Sequence, residues 1–267
     1  MATIPDAPTA APPATPRPAG TPAPRCLNCG APLGGAYCAA CGQQALDLAA
    51  PTWHVVRDAL ADATELDGRV VRTARALAVP GLLTTEFLRG RRAPYLSPLK
   101  VFLLAGTLLT TTWIATRGAD ARYYGFAPDG SAGTYIDTVV RGSMAAILVV
   151  ALGSWLLGRA RRRLLDEAVF AVHVVAALST LASVVVLLGT AWKLAWGSVS
   201  RVPSGVPALP YLLFLPAAVL GLAYLARALH RVHGGAWWAA VLRAVVLGAA
   251  GFAAVTGMLL WRAAWAR

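Results

Sequence analysis

The chain has 267 residues, of which 57% are hydrophobic and 13% charged, with a net charge of +12. A soluble domain carries about a quarter charged residues, so this composition argues against a soluble globular protein. Most of the charge lies before Pro98 or in short clusters between long apolar runs, as a bilayer arranges a sequence. The basic excess is then read as lysine and arginine in membrane-proximal loops, with membrane lipid as a partner and nucleic acid not expected.

Residues 1–25 are rich in Pro, Ala and Thr and read as a disordered leader, because proline removes backbone donors and no large apolar residues are available for a core. They lack the apolar core of a secretory signal, so the N-terminus is expected in the cytoplasm, where thiols stay reduced.

Residues 26–44 hold all four cysteines as two CxxC pairs, Cys26–Cys29 and Cys38–Cys41, eight residues apart. Each pair can fold into a knuckle whose sulfurs face one point. Gly30 and Gly42, each following the second Cys of its pair, permit the left-handed turn such a knuckle favours. Two knuckles supply four thiolates, a tetrahedral set suited to zinc at Zn–S distances of about 2.3 Å. So short a segment cannot bury a core, and the metal would supply its folding energy. A closed four-cysteine site has no open position for a reactant and is structural. Two disulfides in an exported N-terminus, or a redox dithiol, are the competing readings. No thioredoxin-like βαβ pattern surrounds either pair.

Residues 52–97 are expected to form cytoplasmic or interfacial amphipathic helices. The first, over 52–66, repeats Trp53, Val56, Leu60 and Ala63 at helical spacing and ends at Asp67-Gly68. The second runs over 69–78 and stops at Pro80-Gly81. The third runs over 82–89 and stops at Gly90. All are too short and too charged to span a bilayer. Arg89, Arg91 and Arg92 follow, either anchoring anionic lipid or docking these helices against the first span.

The region 98–267 is read as a transmembrane domain with spans near 99–115, 139–157, 168–188, 209–229 and 238–261, each near the roughly 20 residues needed to cross. Lys100 lies close enough to the edge of the first span to snorkel. Trp113, Trp155, Trp192, Trp196, Tyr211, Trp237, Trp238, Trp261 and Trp265 sit near span ends as an interfacial belt would. Nine arginines precede the first span, and the later loops alternate weak, strong, weak, moderate in basic charge. The positive-inside rule then puts the N-terminus in the cytoplasm and, with five spans, the tail outside. The short second span leaves a four-span alternative, with the C-terminus inside.

Within the spans, His173 is an ionisable group with no acidic partner in any span. A neutral ring hydrogen-bonded to a neighbouring helix is the plainer reading, a functional site the sharper one. Thr107, Thr110, Thr111 and Thr112 line a polar path or bond back to their own helix, the second being favoured. His230 and His233 flank an Arg-rich loop with no nearby Cys or carboxylate expected, so metal binding there is not expected. Nucleophile elbows, HExxH, phosphate-binding glycine loops and paired carboxylates are absent from the sequence, and no enzymatic activity is expected.

The strings CLNCG and YCAACGQ, followed by LDGRVVRTARALAVPGLLTTEFLRGRRAPYLSPLKVFLL, resemble a bacterial membrane family called domain of unknown function 3667. The resemblance runs from Cys26 to the first span and more weakly through DEAVFAVH at 166–173. It maps the family pattern onto Asp67, Gly68, Arg69, Thr73, Pro80, Gly81, Gly90, Arg91, Arg92, Tyr95, Pro98 and Phe102. It implies a multi-pass inner-membrane protein and no assigned activity.

The expected architecture is therefore mainly α: a polytopic helical membrane bundle of about five transmembrane helices with a small N-terminal zinc ribbon held by four cysteines. The expected role is a membrane-tethered protein-interaction, assembly or regulatory module, whose unknown protein partner meets the cytoplasmic N-terminal region. The alternative is a small transporter or channel using polar residues of the bundle.

Overall fold

A computed structural model of the chain describes residues 25–35, 37–44, 68–116, 132–158, 163–196 and 208–265. The leader up to residue 24 and the helix expected over 52–66 lie outside the described residues. Two units separate, Met1–Pro51 and Thr52–Arg267.

In the second unit the order is α1 (Arg69–Ala78), α2 (Leu82–Leu88), α3 (Pro98–Ala115), α4 (Ala132–Leu157), α5 (Leu164–Trp196), α6 (Ala208–His233) and α7 (Trp237–Trp265). The short helices stop where the sequence says they should. Gly81, with φ 73°, turns the chain between α1 and α2 in a conformation that disfavours a side chain. The Gly90 N–H then bonds the Phe87 carbonyl at 3.0 Å as the chain leaves α2. Pro98 opens α3 at its first turn, where a missing N–H costs nothing.

Among the described residues, four helices are long and apolar enough to cross a membrane: Pro98–Ala115, Ile136–Leu157, Leu164–Ala191 and Trp237–Gly257. They coincide with the first, second, third and fifth expected spans, and the short second reaches 22 residues. The fourth expected span is α6, a helix of 26 residues with Pro216 inside it and His230, Arg231 and His233 in its last turn. Its first eighteen residues, 208–225, carry no charge.

The centre of the bundle is α5, which packs against α1, α2, α3, α4 and α6, while α7 packs on α4 and α6. The core joins Phe170, Ala171 and Val174 of α5 to Ala228 and Leu229 of α6, and to Ala240 and Ala244 of α7. Several of these are alanines, which allow the close helix approach that packing inside a bilayer relies on. A second cluster ties Ala76, Leu83 and Leu96 to Val101 and Ala105 of α3 and Ala176 of α5. Thus α1 and α2 are built into the base of the bundle.

That packing corrects two expectations. Lys100 is 6% exposed and does not snorkel, because it lies beside Val101 on the buried side of α3. Trp113 is 8% exposed and not part of an outward belt, because α3 buries its Val101–Ala105–Thr112 face and Trp113 lies beside it. Trp237 and Trp238 are exposed, as an interfacial belt requires. The hydroxyl of Thr111 donates to the Thr107 carbonyl at 2.7 Å, so it bonds back to its own helix.

Candidate functional site

The cysteine unit consists of two matching knuckles. In the first, the Cys26 N–H donates to the Ala31 carbonyl and the Gly30 N–H to the Cys26 carbonyl, both at 2.8 Å. In the second, the Cys38 N–H donates to the Gln43 carbonyl and the Gly42 N–H to the Cys38 carbonyl, again at 2.8 Å. Antiparallel bridges Arg25–Pro32 and Tyr37–Gln44 close each loop. Gly30 and Gly42 have φ of 77° and 71°, as the turn requires.

The knuckles bring the four predicted ligands together. All four sulfurs lie within 4.8 Å of one another. Cys26 Sγ is 3.6 Å from Cys41 Sγ, and Cys29 Sγ is 3.6 Å from Cys38 Sγ. A tetrahedron with Zn–S near 2.3 Å has edges of about 3.8 Å; the two 3.6 Å pairs match it, and the whole set falls within reach of one ion. All four cysteines are free, with Cys26 and Cys38 buried and Cys29 exposed.

Their electrostatics favour a cation in the middle. Cys41 is held down at about 6, first by a backbone hydrogen bond at Gln43 and then by the Asn28 side chain. For Cys29 a backbone hydrogen bond at Ala31 works downward. It is outweighed by the Cys41 side chain, desolvation and the other sulfurs, and the thiol is pushed up to about 12. Four clustered thiols cannot all ionise unless a positive charge offsets their repulsion.

The membrane unit holds two buried polar contacts. His173, 2% exposed on α5, shares a 3.0 Å hydrogen bond between its Nδ1 and the Thr84 hydroxyl of α2. The expected neighbouring-helix partner is therefore a short helix at the base of the bundle. Phe87 meets the His173 ring edge-on at 5.9 Å, and the Arg92 guanidinium lies 4.4 Å over Phe87. Burial pushes the Arg92 guanidinium down from its ordinary value, and the charge of Asp166 opposes that shift. Arg89 and Arg91 reach Glu86 at 3.3 and 3.1 Å. Of the three arginines, Arg92 joins the packing and the other two form exposed ion pairs.

The second contact was missed in the sequence. Glu167, 2% exposed at the start of α5, accepts a 2.7 Å hydrogen bond from the Ser154 hydroxyl of α4. It also lies 2.9 Å from His233 Nε2 at the end of α6. His233 does have a carboxylate beside it, contrary to the sequence expectation, because the fold spans the 66 residues that separate them. The legible signal was an acidic residue at the mouth of an apolar run, opposite a histidine ending another.

The α1–α2 turn is fastened to α6. Tyr224 donates from its hydroxyl to the Leu77 carbonyl, and Arg231 donates to the Pro80 carbonyl, both at 2.7 Å. The Thr73 hydroxyl accepts from the Leu96 N–H at 2.9 Å. A Cβ on Gly81 would stand 3.0 Å from the Ala228 carbonyl oxygen.

Residues 67–110 match the family model described as "Protein of unknown function (DUF3667)". The matched stretch contains α1, α2 and most of α3. No curated protein and no solved structure matches the chain.

Proposed function

We propose that this chain, a member of the DUF3667 family through residues 67–110, is a membrane-tethered interaction module whose cysteine ribbon holds zinc and meets a protein partner in the cytoplasm. The observation that carries this reading is the tetrad of sulfurs at ligand spacing on two matching knuckles. Cys26, Cys29, Cys38 and Cys41 would hold the ion, which supplies a cross-link between the knuckles. Zinc is favoured over softer or redox-active metals because four thiolates in a closed tetrahedron suit it and leave no position for a reactant. The ribbon then acts through its surface.

The arginines that precede α3 and those at the base of the bundle support a cytoplasmic N-terminus in the bacterial inner membrane. The protein is read as non-enzymatic. The arrangement Ser154–Glu167–His233 puts the carboxylate in the centre. A nucleophile-activating triad needs the histidine there.

Affinity capture with the full-length protein tests the module. The wild-type chain is expected to retain a partner that the Cys26→Ser/Cys29→Ser variant loses while still inserting in the membrane. A variant that keeps every partner removes the proposal.

A transporter reading is favoured only by the buried Glu167–His233 pair. Intramembrane ionisable pairs mark proton or ion paths in some proteins. Under that reading a Glu167→Gln variant abolishes flux in proteoliposomes. Under the module reading no flux occurs in either protein.

A further inference from the structure

Where α6 ends, the chain builds a basic cavity that neither contact above uses. Its volume is about 560 Å³, and it is lined by Val79, Pro80, Arg227, His230, Arg231 and Trp237. Three of the six carry basic side chains and none is acidic. Arg227, His230 and Arg231 stand one helical turn apart on one exposed face of α6. The guanidinium of Arg231 is set in place by its bond to the Pro80 carbonyl, which leaves most of its five N–H donors for another acceptor. The His230 ring meets the Trp237 ring edge-on at 5.3 Å, forming an aromatic wall.

The face does not stay basic. Going back along α6 from Arg227, Ala223, Leu220 and Pro216 share its face, all exposed. Alongside, α7 exposes Trp238, Leu242 and Val245. From residue 216 to 227 the helix rises about 16 Å. One leaflet of a hydrocarbon core of about 30 Å is about 15 Å thick. A cationic cavity therefore caps an apolar stripe roughly one leaflet long.

Attraction of cations to the negative end of the α6 dipole accounts for basic residues at a helix C-terminus. It does not account for a walled cavity, nor for the stripe leading from it. We propose that this is a binding site for an anionic phospholipid. The arginines take the headgroup phosphate, and the acyl chains lie along α6 and α7. Charge complementarity selects the headgroup, and the stripe selects a lipid over a free anion.

The test is native mass spectrometry of the full-length protein in detergent. Phosphatidylglycerol or phosphatidylcholine of identical chains is added. Wild type is expected to retain one phosphatidylglycerol at least tenfold better than phosphatidylcholine. Arg227→Gln, on an exposed residue, should lower that preference about fivefold, the size of one juxtamembrane arginine's attraction to anionic lipid. Arg227→Gln/Arg231→Gln should bring it to the phosphatidylcholine level. Arg141→Gln, which removes an arginine paired with Asp137 on α4, should leave it unchanged. Millimolar inorganic phosphate should not displace the lipid. Equal retention of both lipids overturns the proposal, as does full preference in Arg227→Gln, an equal loss in Arg141→Gln, or displacement by phosphate alone. Arg227→Gln keeps the Pro80 anchor, so it decides the matter even if the double variant unfolds.

Discussion

Single side chains at the base of the bundle carry more than their size suggests. Thr84 satisfies the buried Nδ1 of His173 across 89 residues of sequence. Thr84→Val keeps the shape and removes the partner, and a buried polar group left unpaired costs about 1–3 kcal/mol. We expect Thr84→Val to unfold at a lower temperature in detergent and Thr84→Ser to recover most of the loss. Equal melting of all three would show that this bond contributes nothing. Gly81 is a second such position. Alanine there meets a left-handed φ, disfavoured by about 1–2 kcal/mol, and crowds the Ala228 carbonyl. Gly81→Ala is expected to loosen the α1–α2 turn from α6, seen as faster amide exchange over α1 and α2. Unchanged exchange would contradict that. The cysteines were fully legible in the sequence, because a CxxC pair followed by glycine makes a knuckle through local backbone geometry alone. The partners of His173 and His233 were not, since Thr84 and Glu167 meet them only through tertiary packing.

Among the helices, the starts and stops of α1 to α3 followed from Pro80-Gly81, Gly90 and Pro98, each acting on its own neighbours. What sequence periodicity leaves open is the number of crossings. The pairing of Glu167 with His233 puts the start of α5 beside the end of α6, and therefore beside the start of α7. The contact of Ser154 with Glu167 puts the end of α4 there as well. Helices α5 and α7 thus run parallel. If both cross a membrane, the chain must return between them through α6, which gives five crossings. Reporter fusions are expected to place Gly158 and Gly234 on the N-terminal side, and residues 197–207 with the C-terminus on the other. A C-terminus on the N-terminal side would contradict five crossings.

For the whole molecule, the two units are a small cysteine module and a helical bundle. The separation of Met1–Pro51 from Thr52–Arg267 predicts that a chain lacking residues 1–51 still folds. It should purify from membranes with the helical signal and melting of the full protein; aggregation of that truncation would show that the bundle needs the ribbon. The membrane class was readable from composition, since 57% hydrophobic residues with 13% charged leave few other solutions. The integration of α1 and α2 into the bundle was not, because an amphipathic helix lying on a bilayer and one packed on other helices have the same periodicity. The Arg92–Phe87–His173 stack and the Arg231–Pro80 bond distinguish them.

Under the proposed function, four thiolates and one ion hold the N-terminal module together. Elemental analysis of the purified full-length protein, with thiol alkylation read by mass spectrometry, tests it directly. One zinc per chain is expected, with all four cysteines protected until a chelator or acid removes the metal, and both properties lost in Cys26→Ser. A metal-free protein whose four thiols alkylate at once, or one that carries two disulfides, would contradict it.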